Sequence, residues 1–466
     1  MSATDTGRRL SRATDGQPVA PVKLVHLGVG NFFRSHQAYY TEAANQAAGE
    51  GQRWGFAAFT GRSAAIADEL APQDGLYTLV VQGPSGNDYQ VISSLSAVHP
   101  AGDLDSWRRY FADPELAVVT STVTEAGYCR AADGHLDLAD PKVAADIQAL
   151  TKDGTAAEVA TAPGKFVLGL LVRRAANAGP VTFCPCDNVP ENGEMAERVI
   201  RDMAQVVDPA LVDYIDAGIG FATTMVDRIT PRATDADRAA VLRDTGVDDP
   251  AAVTAEPFSE WCLSGDFTNG CPAWDVAGAK FVADIVPEET RKLWLLNGSH
   301  SLMAYTGPLF GHETVFDAIN DERIRGWVEE WWDVAQRHLP LPAAEVAAYR
   351  AALIERYQNP NIKHLLAQIA ADGSQKIAIR HVPVIMADRS AGSIPYGATR
   401  AVAAWVVHLR GLGSPVTDAC ADEVKALVTG TLEESVDGVL EYLGIVDDEV
   451  EGVVLNQARE LAAFAG

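Results

Sequence analysis

The stretch that most restricts the fold is Val22–Leu27 (VKLVHL), with Gly28-Val29-Gly30 directly behind it. An apolar run of this length reads as a buried strand, and the glycines read as the turn into a helix through Ala47. Strand, glycine turn and helix make the first unit of a dinucleotide-binding α/β fold. Gly28 permits the tight turn, and Gly30 lets backbone approach a pyrophosphate at the start of the helix. The third glycine of G-x-G-x-x-G is missing, and Phe33 stands there. The reading therefore leans on the strand before the motif and the helix after it.

Further strands are expected at Arg53–Thr60, Tyr77–Gln82, Tyr89–Leu95, Leu116–Val123, Val181–Cys186, Phe221–Val226, Val253–Phe258 and Ala279–Ile285. A helix is expected at Lys165–Asn177, after a stretch from Thr151 to Gly164 with loop composition. After Arg53–Thr60 a dinucleotide fold usually places an acid for the adenine ribose. Here Gly61-Arg62-Ser63 follows, and no acid comes before Asp68. Arg62 and Ser63 could accommodate a 2′-phosphate or, as is more common, cap the next helix, so these residues leave NAD versus NADP open. Beyond Pro287 strand patterns stop and helical periodicities follow at Ile324–His338, Ala343–Tyr357, Ala398–Arg410, Ala421–Leu427 and Leu440–Ala463. The 466 residues exceed one ordinary core. We expect a Rossmann-type α/β domain over residues 1–286 and a mainly α-helical domain over 287–466.

A formal charge of −26 argues against nucleic acid or an anionic membrane as the main partner. It does not exclude an anionic cofactor, whose pocket can be built from backbone N–H groups. Six cysteines, with only Cys184 and Cys186 close together, make neither a disulfide framework nor a zinc site. The first twenty residues are polar, and the longest apolar runs, such as Phe166–Val172, are too short to span a bilayer. A cytoplasmic enzyme with reduced thiols fits these features.

Arg291–Tyr305 (RKLWLLNGSHSLMAY) places Lys292, Asn297 and His300 among apolar neighbours. At about 100° per residue, Asn297 falls roughly 140° and His300 roughly 80° around a helix from Lys292. All three can face one cavity. Burying a lysine, an amide and an imidazole is costly without a purpose. The plain alternative is a surface lysine, a polar Asn297-Gly298 cap and a core histidine. Two strand ends carry similar candidates, Asp187-Asn188 and Asp227-Arg228. Their plain readings are an Asx turn with a helix cap for the first and an ion pair for the second.

Taken together, these residues resemble the polyol-specific long-chain dehydrogenase/reductase family. The resemblance is carried by Gly28-x-Gly30-x-Phe32-x-Arg34-x-His36-Gln37-Ala38, Thr124-Glu125-x-Gly127-Tyr128, Cys186-Asp187-Asn188, Met225-Val226-Asp227-Arg228-Ile229-Thr230-Pro231 and Lys292-x4-Asn297-Gly298-x-His300. It runs from about Val22 to Lys376. It implies a Rossmann-type N-terminal domain, a helical C-terminal domain and metal-independent hydride transfer to a nicotinamide cofactor. Lys292 would be the general base, Asn188 and Asn297 the donors to the reacting oxygen, and His300 an orienting group. Asp227, Lys376 and Gln368 would meet the substrate, and Gly28, Gly30, Phe32, Arg34, Arg62, Thr124 and Glu125 the cofactor. The scheme is chemically consistent, because two amide donors can stabilise the developing oxyanion and desolvation favours a neutral lysine.

Phe32-Phe33-Arg34-Ser35-His36 departs from the family's usual F-H-R-A-H, and Gln368 stands where mannitol enzymes carry arginine. The resemblance implies a monomer acting on a polyol or ketose, with mannitol and fructose the default pair. A hexuronate reductase of the fructuronate or mannonate type is the alternative, and Arg380 could then meet a carboxylate or simply sit on the surface. A nucleotide-sensing protein without catalysis is disfavoured by the intact set of Lys292, Asn188, Asn297 and His300.

Overall fold

The computed structural model describes residues 7–49, 51–61 and 63–464. The chain divides into two compact units, Met1–Ile285 and Val286–Gly466. Strands are β1 Val22–Leu27, β2 Gly55–Phe59, β3 Tyr77–Gly83, β4 Gly86–Ile92, β5 Leu95–His99, β6 Val118–Ser121, β7 Val181–Pro185, β8 Ile219–Phe221, β9 Thr223–Asp227, β10 Val253–Ala255, β11 Glu260–Ser264 and β12 Lys280–Phe281.

The main sheet of the N-terminal unit has the order β5-β2-β1-β6-β7-β8, and all its pairings are parallel. Numbered within the sheet, that is 3-2-1-4-5-6, the Rossmann order. Residues of β2, β6 and β7 are buried throughout, as a parallel sheet covered on both faces requires. On one face Phe111, Phe166, Phe183 and Met203 share a core with Trp107, whose indole donates to the Lys165 carbonyl at 2.9 Å. Full burial of each such side chain stabilises by about 1.5–3 kcal/mol. Two three-stranded sheets, β10-β3-β4 and β12-β11-β9, complete this unit.

The C-terminal unit is helical, and no strand follows Phe281 among the described residues. Its central helix, Tyr396–Leu409, is buried from Gly397 to Leu409. Gly397 allows that depth, because a Cβ there would lie 2.5 Å from the Glu330 carbonyl of helix Glu322–Ala335. No helix is long and apolar enough to cross a membrane among the described residues.

Several expected boundaries shift for local reasons. The helix after Gly30 is two, Asn31–Ser35 and Gln37–Ala47, because His36 leaves helical geometry with φ −122° and ψ −86°. Leu95 opens a separate parallel strand rather than ending the hairpin. The stretch read as loop from Thr151 holds the end of a helix, Pro141–Asp153, capped by Asp140. Ala279–Ile285 contributes only the two-residue β12. Leu440–Ala463 is broken between Leu432–Tyr442 and Asp448–Phe464, where Gly444 takes φ +70°.

Candidate active site

In the N-terminal unit, strand order reverses between β1 and β6, and ligands of α/β sheets collect at the C-terminal ends of such a pair. The Gly28 and Val29 N–H groups both donate to the Phe59 carbonyl, at 2.8 and 3.0 Å. Thr122 Oγ1 donates to the Gly28 carbonyl at 2.8 Å. Gly28 takes φ +109°, and a side chain there would run into the Thr122 carbonyl, so only glycine fits. At Gly30 a Cβ would meet nothing nearer than the Gly28 carbonyl at 3.6 Å, which leaves the space over the turn open. Phe33, in the third-glycine position, stacks on His26 of β1 with centroids 3.5 Å apart. Burial pushes His26 down to about 3, so this neutral ring serves as packing. Aromatic stacking thus replaces the close helix–strand contact that glycine would allow.

Arg34 is buried. Its guanidinium donates to the Gly30 carbonyl (3.3 Å), to Asn31 Oδ1 (2.8 Å) and to the Ala251 carbonyl. It braces the turn from inside. Phe32 is half-buried and stacked on His36 at 4.9 Å. Arg62 lies outside the described residues, and Ser63 Oγ accepts the Ala65 N–H at 3.2 Å just ahead of helix Ala65–Leu70, whose N-cap position is Ala64.

Thr124 and Glu125 are exposed beyond the end of β6, and Glu125 pairs with Arg130 at 2.8 Å. Asp187, just past β7, does not act as a helix cap. It accepts the Thr124 N–H at 2.7 Å and the Tyr128 hydroxyl at 2.6 Å, and Asn188 follows it in an exposed position. Asp227, at the end of β9, is buried. Of the partners that the plain reading offered Asp227, Arg228 or a nearby cation, Arg228 turns elsewhere. Arg228 donates instead to the Glu256 carbonyl at 3.1 and 3.0 Å and to the Ser35 carbonyl at 2.5 Å. Thr230 meets Ser35 at 2.8 Å. Two motifs nearly two hundred positions apart therefore dock on each other.

In the C-terminal unit, Lys292–Gly298 is a π-helical turn, not the regular helix assumed from spacing. A π turn bonds i→i+5, and it recurs at functional sites. Its irregular carbonyls need other donors, and side chains provide them. Trp331 and Trp332 indoles donate to the Trp294 and Leu295 carbonyls, each at 2.8 Å. Ser299 Oγ reaches Leu295 and Leu296 carbonyls at 2.6 and 3.0 Å. Tyr357 donates to Leu296 at 3.3 Å, and Arg380 to the Asn297 carbonyl at 3.0 Å.

Lys292 and His300 are buried, and Asn297 is half-buried. Burial holds His300 well below its ordinary range, and the nearby His364, Arg380, Arg356 and Lys292 push it the same way. His300 is therefore a neutral imidazole, with Nε2 unpartnered among the described residues.

Residues 22–276 match the model of the mannitol dehydrogenase Rossmann domain, and residues 284–458 that of the mannitol dehydrogenase C-terminal domain. The chain belongs to the mannitol dehydrogenase family. It is thus an oxidoreductase. It is 35% identical to D-mannonate oxidoreductase of Escherichia coli (strain K12) over 95% of each chain. It is 34% identical to D-arabinitol 4-dehydrogenase of Ralstonia nicotianae over 96% of this chain and 91% of that one. The structure of Pseudomonas fluorescens mannitol 2-dehydrogenase, a ternary complex with NAD and D-mannitol, matches with a TM-score of 0.81. That match has 30% identity and covers 98% of this chain and 96% of that one.

The remaining substrate-side candidates of this family member behave differently from one another. Gln368 is exposed. Lys376 Nζ donates to the Ile369 and Ala371 carbonyls at 3.1 and 2.5 Å, ending the helix Leu366–Ile369. Burial and Arg380 lower its pKa.

Sequence reasoning missed the aromatic wall on His300. The Tyr357 and His364 rings lie 5.1 and 5.0 Å from it, and burial lowers His364 to about 4. Nothing in the spacing of residues 357 and 364 points to residue 300. Arg380 was noticed but not placed. It is half-buried, it also donates to Ser301 Oγ at 2.9 Å, and burial draws its pKa down to about 10.

Proposed function

We propose that this chain is an NAD-linked dehydrogenase interconverting the secondary alcohol of an acyclic sugar alcohol and the ketone of a ketose, with mannitol and fructose the default pair. The observation that carries the proposal is a lysine buried in a π turn beside a neutral imidazole. A base must be uncharged when the alcohol arrives, and removal from water favours the neutral form of an amine. Lys292 would take the hydroxyl proton. The carboxamides of Asn188 and Asn297 would donate to the oxygen as it gains negative charge, an effect worth about 3–4 kcal/mol per donor. His300, being neutral, would orient the substrate without adding charge. Asp227, Lys376 and Gln368 would meet its other oxygens. The scheme uses no metal ion.

The residues fit a dinucleotide, since Gly30 leaves the face over the turn open. Gly28 and Gly30 would admit the pyrophosphate, with Phe32, Thr124 and Glu125 on adjoining turns and Arg34 holding the glycines in shape. When bound, the nicotinamide accepts or returns hydride. NADP remains the second cofactor to test, through Arg62. We take the enzyme to be cytoplasmic and monomeric.

A second reading, reduction of a hexuronate, is favoured by one observation. Arg380 has no carboxylate partner among the described residues and its Nε is buried and unbonded, whereas a cation drawn this far from water is normally paired. The test is a panel of mannitol, arabinitol and mannonate with NAD+ or NADP+, and fructose and fructuronate with the reduced cofactors, followed by nicotinamide absorbance. Turnover of the polyols supports the first reading and of the acids the second. Absence of turnover throughout would end both.

A further inference from the structure

We propose that Asp187 is a positioning residue that holds the cofactor-side turn Thr124–Tyr128 and the backbone of Asn188 in one fixed arrangement. The inference rests on the reading of the N-terminal unit as the cofactor domain. Asp187 is buried, and both of its carboxylate oxygens work. Oδ1 accepts the Thr124 N–H at 2.7 Å, and Oδ2 accepts the Tyr128 hydroxyl at 2.6 Å. Ser121 Oγ lies 2.8 Å from the same hydroxyl, and the Ser121 carbonyl accepts the Cys186 N–H at 2.8 Å. The ends of β6 and β7 are thus closed into one ring of bonds through a single carboxylate.

The Asp187 main chain is held as firmly. Its carbonyl accepts the Val189 N–H at 2.8 Å and Asn192 Nδ2 at 2.9 Å. Asn192 is buried and bonds both ways with the Thr224 backbone, at 2.8 and 2.9 Å, which ties this corner to β9. Asn188 sits between two residues fixed in this way, so its carboxamide starts from a defined Cα.

Thr124 explains why an acceptor is needed at this place. It takes φ +69° and ψ 161°, a region that a β-branched residue rarely enters and leaves unless its surroundings hold it. A short bond from its N–H to Asp187 Oδ1 provides that hold. Keeping the acid buried has a cost, since burial pushes it up to about 6. An acid kept at that cost at a strand end, and bonded to two sequence motifs, is doing more than filling space.

The test compares wild type, Asp187→Ala, Asp187→Asn and Tyr128→Phe by NADH fluorescence titration and by steady-state kinetics with a turned-over substrate. Loss of one charged hydrogen bond corresponds to about tenfold. Asp187→Ala should weaken NADH binding about tenfold and lower kcat about tenfold. In Asp187→Asn, Oδ1 still accepts the Thr124 N–H and Nδ2 can donate to the tyrosine oxygen, so both values should return to within about threefold of wild type. Tyr128→Phe should weaken NADH binding about threefold.

Asp187→Ala within twofold of wild type, or Asp187→Asn as impaired as Asp187→Ala, would overturn the proposal. If Asp187→Ala does not fold, Tyr128→Phe decides, and an unchanged NADH affinity counts against the proposal. Wild type that binds no NADH would overturn the cofactor reading together with this inference. Wild type and Asp187→Ala binding equally would overturn this inference alone.

Discussion

Replacing Arg380 by methionine separates three roles that the structure gives the guanidinium. Nη1 donates to the Asn297 carbonyl at 3.0 Å and to Ser301 Oγ at 2.9 Å. Losing the first bond frees a carbonyl of the π turn that carries Lys292 and Asn297, at about 1–3 kcal/mol for a buried group left unpaired. That should lower kcat/KM about tenfold for every substrate. Against this stands the desolvation relieved on removing a cation whose pKa burial has drawn down to about 10. An apolar side chain of similar length is tolerated or favoured where a buried charge has no counter-ion, so the melting temperature should hold or rise.

The unbonded edge of the guanidinium adds a third, selective effect. Two charge-assisted bonds to a carboxylate, at about 1.5–3 kcal/mol each, predict a further loss of at least about 100-fold for an acid substrate only. The assay is kcat/KM for mannitol and mannonate in wild type and Arg380→Met, with a thermal melt of each. An equal loss for both substrates excludes the carboxylate role. A variant that melts far lower yet keeps its kcat/KM would refute the reasoning altogether and leave Arg380 a strut.

Lys292→Met should lower kcat by about 10²–10⁴, the usual contribution of a general base, with NADH affinity unchanged; near-normal kcat would exclude Lys292 as the base. Gly28→Ala forces a side chain against the Thr122 carbonyl at φ +109°, a strain of about 1–3 kcal/mol. NADH should bind about tenfold or more weakly in a chain that still folds, and unaltered affinity would separate this turn from the cofactor. Burial holds His26 and His381 at about 3 and His364 and His408 at about 4, and holds His300 well below the ordinary range. A depressed histidine favours the folded state fully only above its unfolded pKa of about 6.5, and that stability is lost as pH falls. At pH 5 the loss is about 2 kcal/mol per histidine. Four of these five lie in the C-terminal unit, whereas Asp187, raised to about 6 in the N-terminal unit, works in the opposite direction on acidification. Hydrogen exchange between about pH 7 and 5 should show the C-terminal unit loosening first, and uniform protection would contradict it.

The parallel sheet was legible because its strands are short buried runs followed by glycine or polar punctuation, as at Val22–Leu27 and Val181–Pro185. Boundaries failed where tertiary bonds override local pattern. His36 interrupts a helix because its Nε2 reaches the Glu260 carbonyl at 2.9 Å, a partner that no local window contains. Only the first residue of strand β5, Leu95, was read as strand, and as the end of the hairpin before it. For the site, the motif residues were legible one by one, whereas their partners were not. Arg34 and Lys376 were expected to meet cofactor and substrate, and in this structure they hold backbone carbonyls. A sequence shows that a cation is present but not which oxygen it serves.

The π turn makes the same point at the helix that bears Lys292. A regular helix and a π turn both keep Lys292, Asn297 and His300 within a few turns of one another, so candidates chosen on the first assumption survive the second. What changes is the surrounding requirement. A regular helix satisfies its own carbonyls, whereas this turn draws donors from Trp331, Trp332, Ser299, Tyr357 and Arg380. Gly298 belongs to that requirement, since a Cβ there would sit 2.7 Å from the Trp331 ring. The adjacent tryptophans in the middle of helix Glu322–Ala335 are the trace that this arrangement leaves in the sequence. Their hydrophobic spacing accounts for burial, but only the irregular turn accounts for two indole N–H groups aimed at neighbouring carbonyls. The lysine is therefore held in place by residues remote from it in sequence, which is why the helix that bears it could not have been drawn correctly from its own fifteen residues.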